Sequence, residues 1–465
     1  MTREWHDMTA LELGAGIGQG QIDPVTLAEH FLERIAAQDP EHAIYLRTTP
    51  DRARAEAQAA RARAGAGLRR GPLDGVPVSW KDLFDTAGVA TTAATPLLAD
   101  RVPERDCAVL ARATRAGLVC LGKTNLTEFA FSGLAINPHY GTPANPFDGD
   151  VARVPGGSSA GAAVAVARGL AAAAVGTDTG GSVRIPAGWN GLVGLKTSAG
   201  LLPLDGVIPL APSLDTVGPL SRDVADANAL FAVLARRPAA DLAGARLAGA
   251  RIVVPTNVAV TDAESGVAAA VERALERLAQ AGAEVVREDV SEFTETGDLI
   301  ARYGYPAGTE GYAQWRDVIE SRPYDIYHNV LKRFREGAEV AAVDFLRLRA
   351  GLAALAERLH ARLAGMAAMA LATSLIAPPP ITDLVADDDA YTRANLAALR
   401  NTTLGNLLNL CAVTLPCGDN GEGLPVGLML VARPFHEAAL LRLAAACEAA
   451  LAAIPKPSPA APSGD

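Results

Sequence analysis

Two serine-bearing glycine turns flank a run of small residues in VPGGSSAGAAVAVARGLAAAAVGTDTGGSVRIPA, the stretch from Val154 to Ala187. Pro155, Gly156 and Gly157 break regular structure ahead of Ser158 and Ser159, and Gly180 and Gly181 do the same ahead of Ser182. Turns of this kind present hydroxyls and backbone N–H groups together, which suits an oxygen nucleophile beside a site for a developing anion. Either turn taken alone also reads as an ordinary loop. A phosphate-binding loop fits poorly, because GTDTGGS lacks the GxxxxGK[ST] spacing and no lysine precedes Ser182. A GxSxG elbow does not fit either, since VGTDTGG would put Asp178 or Thr179 at the nucleophile position.

A serine nucleophile needs a base. The seven histidines (His6, His30, His42, His139, His328, His360 and His436) lie outside this window, and a folded triad using one of them stays open as the weaker choice. Lysine is scarce in the chain (Lys81, Lys123, Lys196, Lys332 and Lys456) while arginine is abundant. Arginine serves any solvated surface but does not give up its proton, whereas a buried lysine does. Lys81 closes GVPVSWK, an apolar alternating run that reads as a short buried strand. Pairing with Asp82 or Asp85 is its structural alternative, and Lys123 and Lys196 stand in similar apolar-to-turn contexts. Spacing alone does not choose among the three.

The chain resembles the amidase signature family of serine hydrolases through a series of segments in order: GVPVSWKDLFDTAGVATTAAT from Gly75, LGKTNLTEFAFSG from Leu121, NPHYGTPANPFD from Asn137, GGSSAGAAVAVARG from Gly156, GTDTGGSVRIPAGWNGLVGLK from Gly176 and LPCGDNGEGLPVGLMLVARPF from Leu415. They occupy residues 71–220 and 406–435. Carried over position by position, the resemblance implies Lys81 as general base, Ser158 as a bridging serine held by a cis peptide, and Ser182 as the acyl-forming nucleophile. The backbone N–H groups of Thr179, Gly180, Gly181 and Ser182 would line the oxyanion hole. Ser159 and Arg184 would support the relay and the nucleophile turn, which Asp178 would brace. Lys81 could then take the Ser182 proton through Ser158 and return it to the leaving amine, provided that its pKa falls well below about 10.4. The chemistry calls for no metal and no other cofactor.

Ala160 and Ala162 stand where many family members have Gly and Ser, and Thr197 and Cys411 replace prolines of the pattern. These departures bear on the pocket rim and the substrate rather than on the triad. The resemblance implies a small-molecule amide as substrate: an aliphatic amide, an aryl anilide or a related carbamate. Two alternatives are the ammonia-releasing, glutamine-hydrolysing component of a tRNA-dependent amidotransferase and an allophanate-type hydrolase. The former normally carries an acidic residue for glutamine's amino group near the position of Leu399, and the latter commonly has a further C-terminal domain. A binding protein on the same scaffold is poorly motivated, because Lys81, Ser158 and Ser182 are all present.

Composition agrees with a soluble enzyme: 465 residues, 49% hydrophobic, with a net charge of −10 that disfavours nucleic acid or an anionic membrane as the main partner. The first residues carry acids and no long apolar core, so no signal peptide is expected. Residues 160–176 are short, small and interrupted by Arg168, and read as a buried helix followed by a strand rather than a membrane span. Cys107, Cys120, Cys411, Cys417 and Cys447 have no zinc spacing and read as buried thiols of a reducing cytoplasm. The sequence leaves the oligomeric state open, with a homodimer as one option.

The elements that must position these residues alternate. Asp23 and Pro24 cap a helix through about Ala37, and Asp51 begins another. Residues 107–130 read helix, strand, helix; 223–250 show a loosened pattern; then come a strand (250–255), a helix (266–281) and a strand (284–290). That order points to a layered α/β fold. The resemblance implies a single large domain over 1–453, with one mixed twisted sheet wrapped by helices. Residues 293–364 read as largely helical and hold Tyr303, Tyr305, Tyr312, Trp315, Tyr324, Tyr327 and Phe345, either as helix packing or as a pocket wall that favours an apolar or aryl substrate. The tail over 454–465 reads as disordered.

Overall fold

The computed structural model describes residues 3–147, 149–455 and 457, so most of the expected disordered tail lies outside the described residues. Eleven strands form one mixed sheet: β1 (Tyr45–Thr48), β2 (Pro77–Lys81), β3 (Val119–Thr124), β4 (Ala173–Asp178), β5 (Val193–Lys196), β6 (Thr216–Ser221), β7 (Arg251–Pro255), β8 (Glu284–Glu288), β9 (Ala368–Ala372), β10 (Cys411–Asp419) and β11 (Pro425–Ala432). Their order across the sheet is β1-β3-β2-β4-β6-β5-β10-β11-β9-β7-β8. β2 runs parallel to β3 and β4, and β4 runs antiparallel to β6, so the sheet mixes both ladder types. Helices cover both faces, which is why β2, β3 and β4 are buried along their whole length and read as apolar runs rather than clean alternations. The molecule is a single-domain α/β structure, as expected.

The sequence signals for helix ends translate directly. Asp23 accepts hydrogen bonds from the Val25 and Thr26 N–H groups, and Pro24 occupies the first turn of the helix Pro24–Gln38. The small-residue run after Ser159 becomes the short helix Ala160–Ala167, whose residues through Val166 are all buried. Its smallness has a cause: a Cβ on Gly161 would come within 2.2 Å of the Ile44 carbonyl oxygen, so this helix lies against backbone. Among the described residues no helix is long and apolar enough to cross a membrane.

Two local expectations need correcting. The stretch 223–250 is not uniformly loose, because residues Val224–Ala235 form a helix capped by the Asp223 side chain, which accepts from the Asp226 N–H. That helix buries Val224, Ala227, Ala229, Leu230, Phe231 and Leu234, so its apolar surface is too broad to show a clear helical period. The second helix expected within 107–130 is only the 3₁₀ turn Glu128–Ala130, because Phe129 and Ala130 adopt φ of 51° and 59° and an α-helix cannot propagate through them.

Lys123 on β3 is fully buried, 2.9 Å from Asp82, and donates to Thr91 Oγ1 at 2.8 Å. Removing one partner of such a pair strands the other charge in the interior. Lys123→Met is therefore expected to lower the unfolding free energy by about 3–5 kcal/mol, read by urea denaturation. A change within experimental error would mean that Arg47, 3.2 Å from Asp82, suffices to neutralise it.

Candidate active site

The end of β2 delivers Lys81 beside β4, and both of its hydrogen bonds go to hydroxyls. Nζ donates to Ser158 Oγ at 2.7 Å and to Thr177 Oγ1 at 2.8 Å. Neither Asp82 nor Asp85 pairs with it: Asp82 faces Lys123 and Arg47, and Asp85 binds Arg101 at 2.5 Å. Lys81 is fully buried, and burial lowers its pKa to about 7 against the opposing pull of Asp178 and Asp215. Lys123 and Lys196 are buried too, but their partners differ. Lys123 has its carboxylate, and Lys196 donates to the Thr197 and Leu410 carbonyl oxygens.

Ser158 follows a cis peptide bond from Gly157. The Ser159 N–H donates to the Ser182 carbonyl oxygen at 3.2 Å and ties the two serine turns together. The hydroxyls of Ser158 and Ser182 are not hydrogen-bonded to each other, and Ser182 lines an open cavity. Ser159 Oγ donates to the Thr177 carbonyl oxygen at 3.3 Å, so its role lies in holding the Ser158 turn against β4.

The turn before Ser182 is braced from two directions. Arg184 meets the Asp178 carboxylate through Nε and Nη2, both at 2.9 Å, and Asn406 donates to Asp178 Oδ1 at 2.9 Å while accepting from Arg184 Nη2 at 2.6 Å. Burial pushes the Asp178 pKa up, but Arg184, Lys196 and Asn406 outweigh it and hold the carboxyl well below the usual range. From the helix Asp388–Leu407, Thr402 and Thr403 donate to the Gly180 carbonyl oxygen at 2.7 and 3.2 Å. Gly181 has φ of 141°, and a Cβ there would come within 2.2 Å of Thr402 Oγ1, so only glycine fits. The N–H groups of Gly180, Gly181 and Ser182 donate to no acceptor among the described residues. Thr179 Oγ1 donates to Asp215 at 2.5 Å. Burial raises the Asp215 pKa to about 6, opposed by Thr179 and the N–H groups of Ala211 and Leu210.

A model of the family described as Amidase matches residues 26–441. The chain belongs to the amidase family. It is 37% identical over 444 residues to 2-amino-5-chloromuconic acid deaminase of Comamonas testosteroni, covering 95% of this chain and 96% of that protein. It is also 35% identical over 477 residues to a glutamyl-tRNA(Gln) amidotransferase subunit of Chloroflexus aurantiacus, covering 95% and 96%. A crystal structure of an amidase superposes with a TM-score of 0.85 at 31% identity, covering 95% of this chain and 99% of the other. The amidase family is one of enzymes that hydrolyse C–N amide bonds, and the cluster around Lys81 lies within the matched region.

The amidase cavity opens to solvent and is lined by Ser182 and Thr179 together with Phe131, Tyr305, Arg333 and Leu399. Of the seven aromatics expected as packing or pocket wall, Tyr305 lines it. Trp315 packs on Phe129 at 5.1 Å and donates to the Pro209 carbonyl oxygen, Tyr327 packs on Tyr391, and Tyr324 is exposed. No histidine lines the cavity; His6 stacks on His30, His328 meets Asp388, and His360 meets the Leu408 carbonyl. No cluster of three or more His, Cys, Asp or Glu suited to a metal occurs among the described residues. Sequence reasoning missed Thr177, Asp215, Thr402 and Thr403. Asp215, a lone carboxylate just ahead of the apolar β6 run, was the one with a visible signal.

An unfolded lysine keeps its proton up to about 10.4, whereas folded Lys81 loses it near about 7. Between those values the unfolded chain binds the extra proton, so native stability falls as pH drops across that window. Lys81→Met removes this penalty, and thermal denaturation should find the variant more stable than wild type near neutral pH, with the gap closing at about pH 10. A gap that does not change with pH would contradict a lysine held near neutrality.

Proposed function

We propose that the chain hydrolyses a small-molecule amide, an aliphatic amide, aryl anilide or related carbamate, through a seryl acyl-enzyme. Ser182 is the nucleophile, Ser158 the relay and Lys81 the base. The observation that carries this reading is Lys81 itself: a fully buried amine bonded to Ser158 at 2.7 Å, without a carboxylate partner, behind a cavity that Ser182 lines.

Ser182 Oγ attacks the amide carbon while its proton passes to Ser158, whose own proton moves to the Lys81 amine. The negative charge arising on the carbonyl oxygen faces the N–H groups of the Thr179–Ser182 turn. Each well-aimed donor of this kind is worth about 100- to 1000-fold in rate. The C–N bond then breaks as the proton returns by the same path to the departing nitrogen. Water attacks the acyl-enzyme, loses a proton along that path and releases the acid. The Ser158 and Ser182 hydroxyls meet once substrate is bound, as catalytic hydrogen bonds commonly close only then. Asp178, Arg184 and Ser159 position the two turns without touching substrate. We take residues 1–453 as one domain, with 293–364 as its variable wall. The free cysteines, all buried, support a reducing cytoplasmic setting.

A free-standing amidase is preferred over the amidotransferase component because Leu399 lines the cavity, placing an alkyl group where a bound amino group would need a carboxylate. The test is amine or ammonia release from aliphatic amides, anilides, aryl carbamates and glutamine. Release is expected from at least one of the first three and should vanish in Ser182→Ala. kcat/KM should rise with pH through about 7, because the base works only as the neutral amine above its pKa. A folded histidine variant without activity, or turnover that persists in Ser182→Ala, would overturn the assignment.

A further inference from the structure

The cavity wall carries one charged side chain. Arg333, on the helix His328–Ala338, is the only ionisable acid or base among the lining residues apart from the Tyr305 phenol. It is half-buried and forms no ion pair among the described residues. Its single protein hydrogen bond runs from Nη1 to the Phe131 carbonyl oxygen at 2.8 Å, and its guanidinium carbon sits 4.3 Å from the centroid of the Phe131 ring. Nε and Nη2 have no protein acceptor among the described residues. The guanidinium is therefore fixed at one corner, with its remaining donors unused.

Burial opposes the charged form of Arg333, and Tyr305, Tyr391 and Glu336 support it only from a distance. Arginine keeps its proton regardless. A cation in a partly dry wall without a counter-ion is costly unless an anion arrives with the ligand. A planar guanidinium with free donors matches a carboxylate, and the fixed orientation means that little side-chain freedom is lost on binding. The walls contain no Asp or Glu that could receive a ligand ammonium, and Leu399 adds an alkyl surface.

We propose that this cavity selects monoanionic amides: monoamides of small dicarboxylic acids, whose distal carboxylate docks on Arg333 while the amide carbon lies at Ser182. This rests on Ser182 as nucleophile and narrows the substrate class stated above. It assigns Arg333 to specificity. It also separates such substrates from glutamine, which brings an ammonium that nothing in the wall accepts.

The experiment compares kcat/KM for the monoamides from malonamate to adipamate with that for uncharged isosteres, 5-methylhexanamide standing for glutaramate, and with that for glutamine. Wild type should prefer at least one carboxylated member over its isostere and over glutamine. Arg333→Met should reduce that preference ratio on the order of 10- to 100-fold, with Arg333→Lys recovering part of it. Calorimetric binding of the same monoamide to Ser182→Ala, with and without Arg333→Met, reads the carboxylate contact without turnover, and circular dichroism establishes that each variant is folded. Hydrolysis of neutral amides with no preference for the acids, or a ratio that Arg333→Met leaves alone, overturns the carboxylate site and leaves the amidase reading standing. Tight, Arg333-dependent binding of a monoamide that is never cleaved supports the site and overturns the catalytic reading instead.

Discussion

A fully buried amine that is given hydroxyls rather than a counter-ion is the constraint around which this molecule is organised. Among the described residues three lysines are buried, and the other two show how such a group is ordinarily accommodated: Lys123 by the Asp82 carboxylate, Lys196 by two backbone carbonyls. Lys81 has Ser158 and Thr177. Two carboxylates lie near enough to favour its ammonium form, yet both are engaged elsewhere. Asp178 is spent on Arg184 and Asn406, and Asp215 receives Thr179 and two backbone N–H groups. The arrangement leaves burial as the dominant influence on Lys81, which is what brings an amine toward neutrality.

The same bonds that occupy Asp178 also shape the turn ahead of Ser182. Asp178 ends β4, Arg184 begins the next helix, and Asn406 comes from a helix more than two hundred residues later in the chain. With Thr402 and Thr403 gripping the Gly180 carbonyl, the peptide groups between Thr179 and Ser182 are oriented from behind. Donors held in place in this way need no reorganisation when charge develops, which is the physical basis of their effect on rate. Stability and chemistry are thus coupled through one buried polar network, where each group is satisfied by another.

What the sequence revealed follows the range over which each feature is specified. Helix caps such as Asp23, the strand ending in Lys81 and the small-residue helix after Ser159 are local, and they were legible in order and type. The helix after Asp223 was not, because it is apolar over a wide arc and so has weak periodicity. At Phe129 and Ala130 the helical pattern is overruled by left-handed backbone imposed by the surrounding packing. In the site, the glycine–serine turns stood out in one short window, whereas choosing Lys81 over Lys123 and Lys196 required knowing which carboxylates lie beside each, a fact of tertiary structure. Thr402 and Thr403 act through contacts across 222 and 223 positions, and no local pattern marks them, whereas Asp215, 36 positions from Thr179, had only its place ahead of the apolar β6 run to mark it.

The groups divide between two layers. Lys81 ends β2, Ser182 lies in the turn after β4, and Ser158 lies in the turn that opens the helix Ala160–Ala167. Tyr305, Arg333 and Leu399 come from the helical layer that covers the cavity, outside the segments that carry the family resemblance. Replacing the Arg333 side chain changes the wall without touching the network around Asp178, so the ligand can vary while the chemistry is retained. The two layers meet at Phe131, whose carbonyl and ring both hold Arg333. Because Phe131 follows β3 in a segment that carries the family resemblance, the guanidinium is tied to that part of the chain although the helix bearing it lies outside those segments. A wall residue keyed to the catalytic layer in this way measures the length of a ligand as well as its charge.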